Sequence, residues 1–377
     1  MNQIDCTNSD SIIAANNLQE ILEEELKHLV EACTECGNCV KQCIYLQRFG
    51  NPLQLARQFQ AKTLDIETLY SCNLCRLCDV FCPERLHPSY DFWLMRCSMV
   101  AQGRAPLAPH KKILSYEKYG LSKLFSHWAI PEGCTTAFFP GCALAGTRPQ
   151  QTLELFRLLH KEIPRLGMVL GCCAKPSHDL GRLAFFKDTF STLINRLKAQ
   201  GITEVLTTCP SCHQMFSQYG AGVRSKTVFE ILEDTIAAAD TGQGTALAIH
   251  DPCATRLDGE VHRSVRGIAT KLGFSPVEMK HRGKRTLCCG EGGSACYIAA
   301  DITGCWSDKR KVEAAGTRVL TYCAGCVNFL GRKFPTTHII DLLLDPERAL
   351  AGKEKMSRSP FTWLNRLKLK QKLRSLI

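Results

Sequence analysis

"EVLTTCPSC" at residues 204–212 returns as "RVLTYCAGC" at 318–326, an apolar run that ends on one cysteine and reaches a second three positions later. Two other strand-like runs end on cysteine, "TTAFFPGC" at 135–142 and "TALAIHDPC" at 245–253. Adjacent thiols also recur, at Cys172 and Cys173 in "LGCCAKP" and at Cys288 and Cys289 in "TLCCGEGGSAC". Cys142 to Cys253 is 111 positions, Cys172 to Cys288 is 116 and Cys209 to Cys323 is 114. Five cysteines therefore recur in order with a period of about 110 residues, which marks two structural halves. Strand-like run, cysteine loop and helical pattern ("QTLELFRLLHKE" at 151–162) alternate in each half. That alternation predicts an α/β fold with the cysteines at strand ends.

Upstream lies a different cysteine pattern. "CTECGNCVKQC" supplies Cys33, Cys36, Cys39 and Cys43, and "CNLCRLCDVFCP" supplies Cys72, Cys75, Cys78 and Cys82, then Pro83. Both fit C-x2-C-x2-C-x3-C. A cubane [4Fe-4S] cluster needs one thiolate per iron; the loop wraps three corners and the other motif sends the fourth ligand. The spacing thus predicts one cluster on Cys33, Cys36, Cys39 and Cys82 and another on Cys72, Cys75, Cys78 and Cys43. Zinc ribbons use pairs of C-x2-C, not two runs of four. Helical patterns surround these loops: "LQEILEEELKHLV" (18–30), a segment opened by Asn51 and Pro52, and one from Ser89 towards Gly103.

Composition limits the alternatives. The 377 residues can hold two or three domains, and 45% apolar residues is ordinary for a globular protein. No apolar run of about 18 residues occurs, and the first twenty residues lack the basic start and apolar core of a signal peptide. A cytoplasmic, reducing location is expected, where 23 cysteines serve metals rather than disulfides. The formal charge of +11 is uneven: from Lys353 onward eight Lys/Arg stand against one Glu. Among those bases lie Phe361, Trp363, Leu364, Leu367, Leu369, Leu373 and Leu376. The tail reads as a membrane-surface anchor, a partner-docking segment or a disordered end, and Leu367 to Leu373 alternates in a strand-like way. With no reading domain beside it, the tail does not indicate nucleic acid.

Each half offers five thiols: Cys142, Cys172, Cys173, Cys209 and Cys212, then Cys253, Cys288, Cys289, Cys323 and Cys326. Five are too many for one zinc or one cubane, and a strained vicinal disulfide would have to arise twice beside a C-x2-C. The order "PGC…CC…CPSC" then "DPC…CCG…CAGC" resembles the twin cysteine-rich domains of the heterodisulfide reductase family, B and D subunits. Related chains are the iron–sulfur subunits of anaerobic glycerol-3-phosphate, glycolate and lactate dehydrogenases. With the ferredoxin-type region the likeness covers roughly residues 25–345 and is nearest in layout to the fused D-type subunit. It implies one or two further, noncubane [4Fe-4S] clusters, whose irons the paired cysteines would bridge or flank. The first half departs from the family at Ala174, where the second has Gly290; glycine there would allow a positive backbone angle or a close approach.

The expected organisation is a helical ferredoxin-like domain (1–103), a connector (104–133), two α/β cysteine-rich domains (134–241 and 242–345) and a basic tail (346–377). The expected function is an iron–sulfur oxidoreductase subunit that relays single electrons through the two cubanes to clusters that reduce a disulfide-type substrate. The alternative is a non-catalytic electron-transfer subunit of a membrane-associated flavin dehydrogenase, passing electrons towards quinone. No flavin or nicotinamide fingerprint occurs, since "GEGGSAC" lacks the G-x-G-x-x-G spacing. A redox partner protein is therefore expected, with a membrane surface reached through the tail and a place on the cytoplasmic face. No catalytic acid is assigned; His250, Asp251 and His213 are proton-donor or hydrogen-bonding candidates, and 280–285 is a basic stretch for an anion or acidic partner. Cys6, Cys97, Cys134, Cys296 and Cys305 fall outside both patterns and read as buried small hydrophobes, Cys296 being the one nearest the glycine run.

Overall fold

Apolar residues alternating between two cores build the sheets of this computed structural model, which describes residues 17–353 and 356–374. The first sheet contains β1 (His127–Ala129), β2 (Thr136–Phe139), β3 (Gly167–Leu170), β4 (Glu204–Thr207) and β5 (Arg224–Thr227). The second contains β6 (Ala246–His250), β7 (Ser275–Glu278), β8 (Val319–Thr321) and β9 (Thr336–His338). Strand order is β1-β3-β2-β4-β5 in one and β7-β6-β8-β9 in the other. With the antiparallel edge strand β1 set aside, the two are the same parallel topology in the same order. The repeat of thiols in the sequence is thus a repeat of fold.

Phe138, Leu206, Leu247, Ile249 and Leu320 point into one core shared by both sheets. Their neighbours Phe139 and Val205 face an outer core of the first half, and Ala248 and Val319 face one of the second. This period of two, apolar on both faces, is what a parallel sheet covered by helices requires. Buried Arg148 also ties the halves, donating from Nε to both carboxylate oxygens of Asp341 at 2.9 and 2.8 Å.

The N-terminal domain is helical. Leu18–Ala32 buries Leu22, Leu26 and Leu29, and Asn51 and Gln54 form a capping box ahead of Pro52–Gln60. The helix Pro88–Ala101 is buried nearly all round because it is the contact with both halves. From it Arg96, 0% exposed, spends all five of its donors on carbonyls. They belong to Leu69 and Cys72 in its own domain, to Asp179 in the first half and to Gly293 in the second. Trp93 Nε1 adds a 2.7 Å bond to the His178 carbonyl.

Two expectations change. The connector 104–133 carries the helix Lys111–Leu121 and the strand β1, which pairs with β3, so it belongs to the first half. The tail is neither strand-like nor an unattached anchor: Phe361–Arg374 is a helix whose buried positions are Thr362, Arg366, Leu369 and Leu373. Leu367 misled the alternation. The true face includes polar Thr362 and Arg366, which a hydrophobic pattern does not count. Leu376 lies outside the described residues.

Arg96→Met should lower stability by at least about 3 kcal/mol, because it strands four buried carbonyl groups. Denaturant melts of the full chain check this, and a cost under about 1 kcal/mol would refute the role given to Arg96.

Candidate metal centres

In each half the first parallel strand, β2 or β6, stands between the next two, so the chain reverses its direction of crossing there, and crevices at such points hold ligands in open α/β sheets. Cys142 follows β2, Cys172 and Cys173 follow β3, and Cys209 and Cys212 follow β4. Cys253, the pair Cys288 and Cys289, and Cys323 with Cys326 follow β6, β7 and β8 in the same way. The sulfurs then meet with one wiring. Cys173 and Cys212 lie 3.4 Å apart, and Cys289 and Cys326 lie 3.2 Å apart. Cys142 hydrogen-bonds with Cys172 as Cys253 does with Cys288, and Cys209 with Cys212 as Cys323 does with Cys326.

Crowding divides these thiols into two kinds. Hydrogen bonds from Cys172 hold Cys142 below the usual thiol range, those from Cys212 bring Cys209 down to about 7, and those from Cys288 and Cys326 hold Cys289 far down. Their partners Cys172, Cys212, Cys288 and Cys326 are pushed up by the same contacts and by burial. Thiolate character near neutral pH is what a soft metal site needs.

The ferredoxin-type cysteines form two groups. Cys33, Cys36, Cys39 and Cys82 line one cavity, beside Glu35 and Glu84 and with Cys36 exposed. Cys43, Cys72, Cys75 and Cys78 line another, all buried, with Trp306 of the second half in its wall. Here Cys75 hydrogen-bonds with Cys288, which brings Cys75 down to about 7. The glycine run explains the closeness. A Cβ on Gly292 would lie 2.7 Å from the Asn73 carbonyl oxygen, and one on Gly293 2.6 Å from that of Cys72. Asn73 Nδ2 donates to the carbonyls of Gly290 and Gly292, each at 3.0 Å. "GEGGSAC" is a docking surface for the ferredoxin-type domain.

Buried cationic groups face these sets without full partners: Nη2 of Arg256, Nε and Nη2 of Arg310, and Nε and Nη1 of Arg366. Both ring nitrogens of His250 lack a hydrogen-bond partner, and its ligand atom lies within 4.8 Å of those of Cys289 and Cys326. Unpaired buried cations are costly unless an anion compensates. Thiolate-ligated iron–sulfur groups are anionic, so the residues present fit them. The other sequence candidates are committed elsewhere. His213 bonds Ser225 and Asp258 at 2.9 Å each, and Asp251 takes a two-pronged contact from Arg266. Within 280–285, His281 is hydrogen-bonded to Glu313. Cys97 and Cys134 are core residues, Cys305 is exposed, and Cys6 lies outside the described residues.

Sequence reasoning passed over Glu291. The residue is exposed, and its carboxylate crowds the Gly325 backbone in the helix that carries Cys326. Desolvation by the surrounding protein, then the charges of Cys289 and Cys209, push its carboxyl up to about 8, against the pull of Arg332. Thiols of both halves thus bear on this one carboxyl.

The comparisons with known proteins agree with this architecture. A 4Fe-4S dicluster domain matches residues 29–86, and the cysteine-rich domain called CCG matches 136–217 and 247–331. These define an iron–sulfur oxidoreductase subunit of electron transport. More narrowly, the chain belongs to the heterodisulfide reductase B/D subunit family, with its twin cysteine-rich domains joined to an N-terminal dicluster domain. It is similar to the D subunit of the dihydromethanophenazine:CoB–CoM heterodisulfide reductase of Methanosarcina acetivorans, 21% identical over 79% of this chain and 86% of that protein. A probable membrane-anchored ferredoxin of Chromohalobacter salexigens is 24% identical over 70% of this chain and 44% of its own length. An EtfAB:quinone oxidoreductase of Syntrophomonas wolfei is 22% identical over 73% and 41%. This chain thus spans less than half of the last two. A solved aspartate racemase of Picrophilus torridus is matched over its whole length and 62% of this chain, but at 11% identity and a TM-score of 0.27 it has no bearing on the fold.

The departure at Ala174 now has a physical account. Ala174 adopts φ 53°, ψ 25°, so the left-handed turn survives without glycine and the buried methyl packs among apolar neighbours. Gly290 has φ 105°, and a Cβ there would lie 2.4 Å from the Thr303 carbonyl oxygen. Gly290→Ala should therefore cost about 2–4 kcal/mol from backbone strain and overpacking. Ala174→Gly should change stability by less than about 1 kcal/mol, relief of strain offsetting the lost methyl. Thermal melts of the two variants check the asymmetry; equal costs would contradict it.

Proposed function

We propose that the chain relays single electrons from a redox partner through two cubane [4Fe-4S] clusters to cysteine-rich-domain clusters that reduce a disulfide-type substrate. Iron–sulfur clusters on these thiolates would supply the one-electron steps. Cys33, Cys36, Cys39 and Cys82 would hold the cluster nearer the surface, and Cys43, Cys72, Cys75 and Cys78 the buried one. The five thiols of each half, Cys142, Cys172, Cys173, Cys209 and Cys212, then Cys253, Cys288, Cys289, Cys323 and Cys326, would hold the further clusters.

The observation that carries this reading is the contact of Cys75 with Cys288. It joins the buried ferredoxin-type set directly to the second half, so that half receives electrons first. Exposure of Cys36 supports entry from a partner at the other cavity. Glu291, whose carboxyl is pushed up by thiols of both halves, Cys289, Cys209 and Cys142, supports a substrate held between the halves. Glu291 and Arg332 would meet the substrate's polar groups there.

A second reading, in which the chain only passes electrons between a flavoprotein and quinone, draws on the relative named EtfAB:quinone oxidoreductase. Among the described residues no helix is long and apolar enough to cross a membrane.

Iron and sulfide analysis with low-temperature paramagnetic resonance on anaerobically prepared chain tests the proposal. Four four-iron clusters predict about 16 irons per chain, and a new signal when a thiol or disulfide is added. About eight irons, or about 16 with no response to thiols, would sink the disulfide reading. As a second check, Cys288→Ala should slow reduction of the cysteine-rich sets by an added electron donor at least about tenfold, with the ferredoxin-type signals kept. Unchanged rates would dismiss the Cys75–Cys288 route.

A further inference from the structure

The C-terminal helix Phe361–Arg374 lies outside both cysteine-rich repeats, yet it completes the first of them. Leu369 and Leu373 enter the core shared by the two sheets. Asn365 Nδ2 donates to the Gly146 carbonyl at 2.9 Å, and Lys370 Nζ donates to the carbonyls of Lys123 and Leu124. On this buried face, between Thr362 and Leu369, stands Arg366 at 0% exposure.

Arg366 has an incomplete set of partners. Nη2 makes two long bonds, 3.4 Å to the Gly120 carbonyl and 3.3 Å to that of Phe125, while Nε and Nη1 have none. Among the described residues no carboxylate forms an ion pair with it. Arg310, beside the second set, differs in being paired with Glu313 at 2.7 Å. What Nη1 does approach is the first cysteine set. A Cβ built on Gly120 would lie 3.3 Å from Nη1, 3.4 Å from Cys172 Cβ and 3.8 Å from Cys172 Sγ, so the three groups crowd one spot. Tyr116 lines the same place, with its hydroxyl donating to the Cys142 carbonyl and its ring 4.4 Å from that of Trp363. The Trp363 ring, with its centroid 5.6 Å from the guanidinium carbon, offsets part of the charge, yet burying a guanidinium with two idle donors and no carboxylate still costs several kcal/mol unless an anion stands opposite.

We propose that Arg366 is the counter-charge of the first cysteine set, so that the C-terminal helix is a positioning element of that site. The proposal rests on the reading that Cys142, Cys172, Cys173, Cys209 and Cys212 hold an anionic iron–sulfur group. It accounts for a charged residue on the core face of the last helix. It also assigns the basic tail a task inside the protein.

The test compares wild-type chain with Arg366→Met, Arg366→Lys and Cys142→Ala, all full length and reconstituted anaerobically with iron and sulfide. Cys142→Ala identifies the first-half signal. Arg366→Met should lose about four irons per chain, or keep that signal at a lower reduction potential, since a nearby positive charge favours the reduced form. Arg366→Lys should restore it in part. Iron-free Arg366→Met should melt no lower than iron-free wild type, because it removes an uncompensated buried cation, whereas a merely structural arginine would be missed in both forms. Unchanged iron content and potential in Arg366→Met, or equal destabilisation with and without iron, would overturn the proposal alone. If Cys142→Ala matches wild type in iron and signals, the first-half site itself is absent and both readings fail there.

Discussion

Three parts of the chain meet at a single cation. Arg96 binds carbonyls of the ferredoxin-type domain, the first half and the second half at once, with every donor used and no carboxylate involved. Because the acceptors are backbone atoms, what it fixes is the path of the main chain. The Cys72 loop, the turn at Asp179 and the glycine run at Gly293 are all held against it. The contact of Cys75 with Cys288 depends on that arrangement, since those two thiols lie on loops that Arg96 pins from the same side. A lysine could reach one or two of these carbonyls, but not all of them in one plane.

Around this anchor the molecule uses one design twice. Parallel strands with a central first strand gather cysteines from three neighbouring strand ends, so thiols far apart in sequence converge without long loops. The paired cysteines divide their duties in the same manner in both halves. In the first, Cys172 turns to Cys142 and Cys173 to Cys212; in the second, Cys288 turns to Cys253 and Cys289 to Cys326. Within each adjacent pair, the two thiols serve different neighbours. Cys288 also meets Cys75, because the glycine run after it packs against the Cys72–Asn73 loop of the ferredoxin-type domain.

Much of this was legible in the sequence. The period of cysteines after apolar runs foretold two α/β halves, and C-x2-C-x2-C-x3-C foretold a dicluster domain, because both depend on spacing along the chain. The glycine run could be cleared of nucleotide binding but not assigned, since its role depends on Asn73, more than two hundred residues away. Arg96, Arg310 and Arg366 were passed over for a related reason. A charged residue in an apolar helical pattern reads as a surface position until its partners are known. The tail went the same way: Leu369 and Leu373 carried the signal, but Thr362 and Arg366 share their face and hid its period.

The docked C-terminal helix has a consequence for how the protein is made. Asn365 bonds to Gly146, 219 positions earlier, and its helix forms one wall of the pocket behind Cys142 and Cys172. The ribosome delivers that wall only after the whole second half. Until it does, the first half lacks a lid and part of its core, while the ferredoxin-type cysteines have long since emerged. Maturation therefore has an order built into the chain, with the N-terminal sites able to close early and the first cysteine-rich site closing only after the second half and this helix have been made.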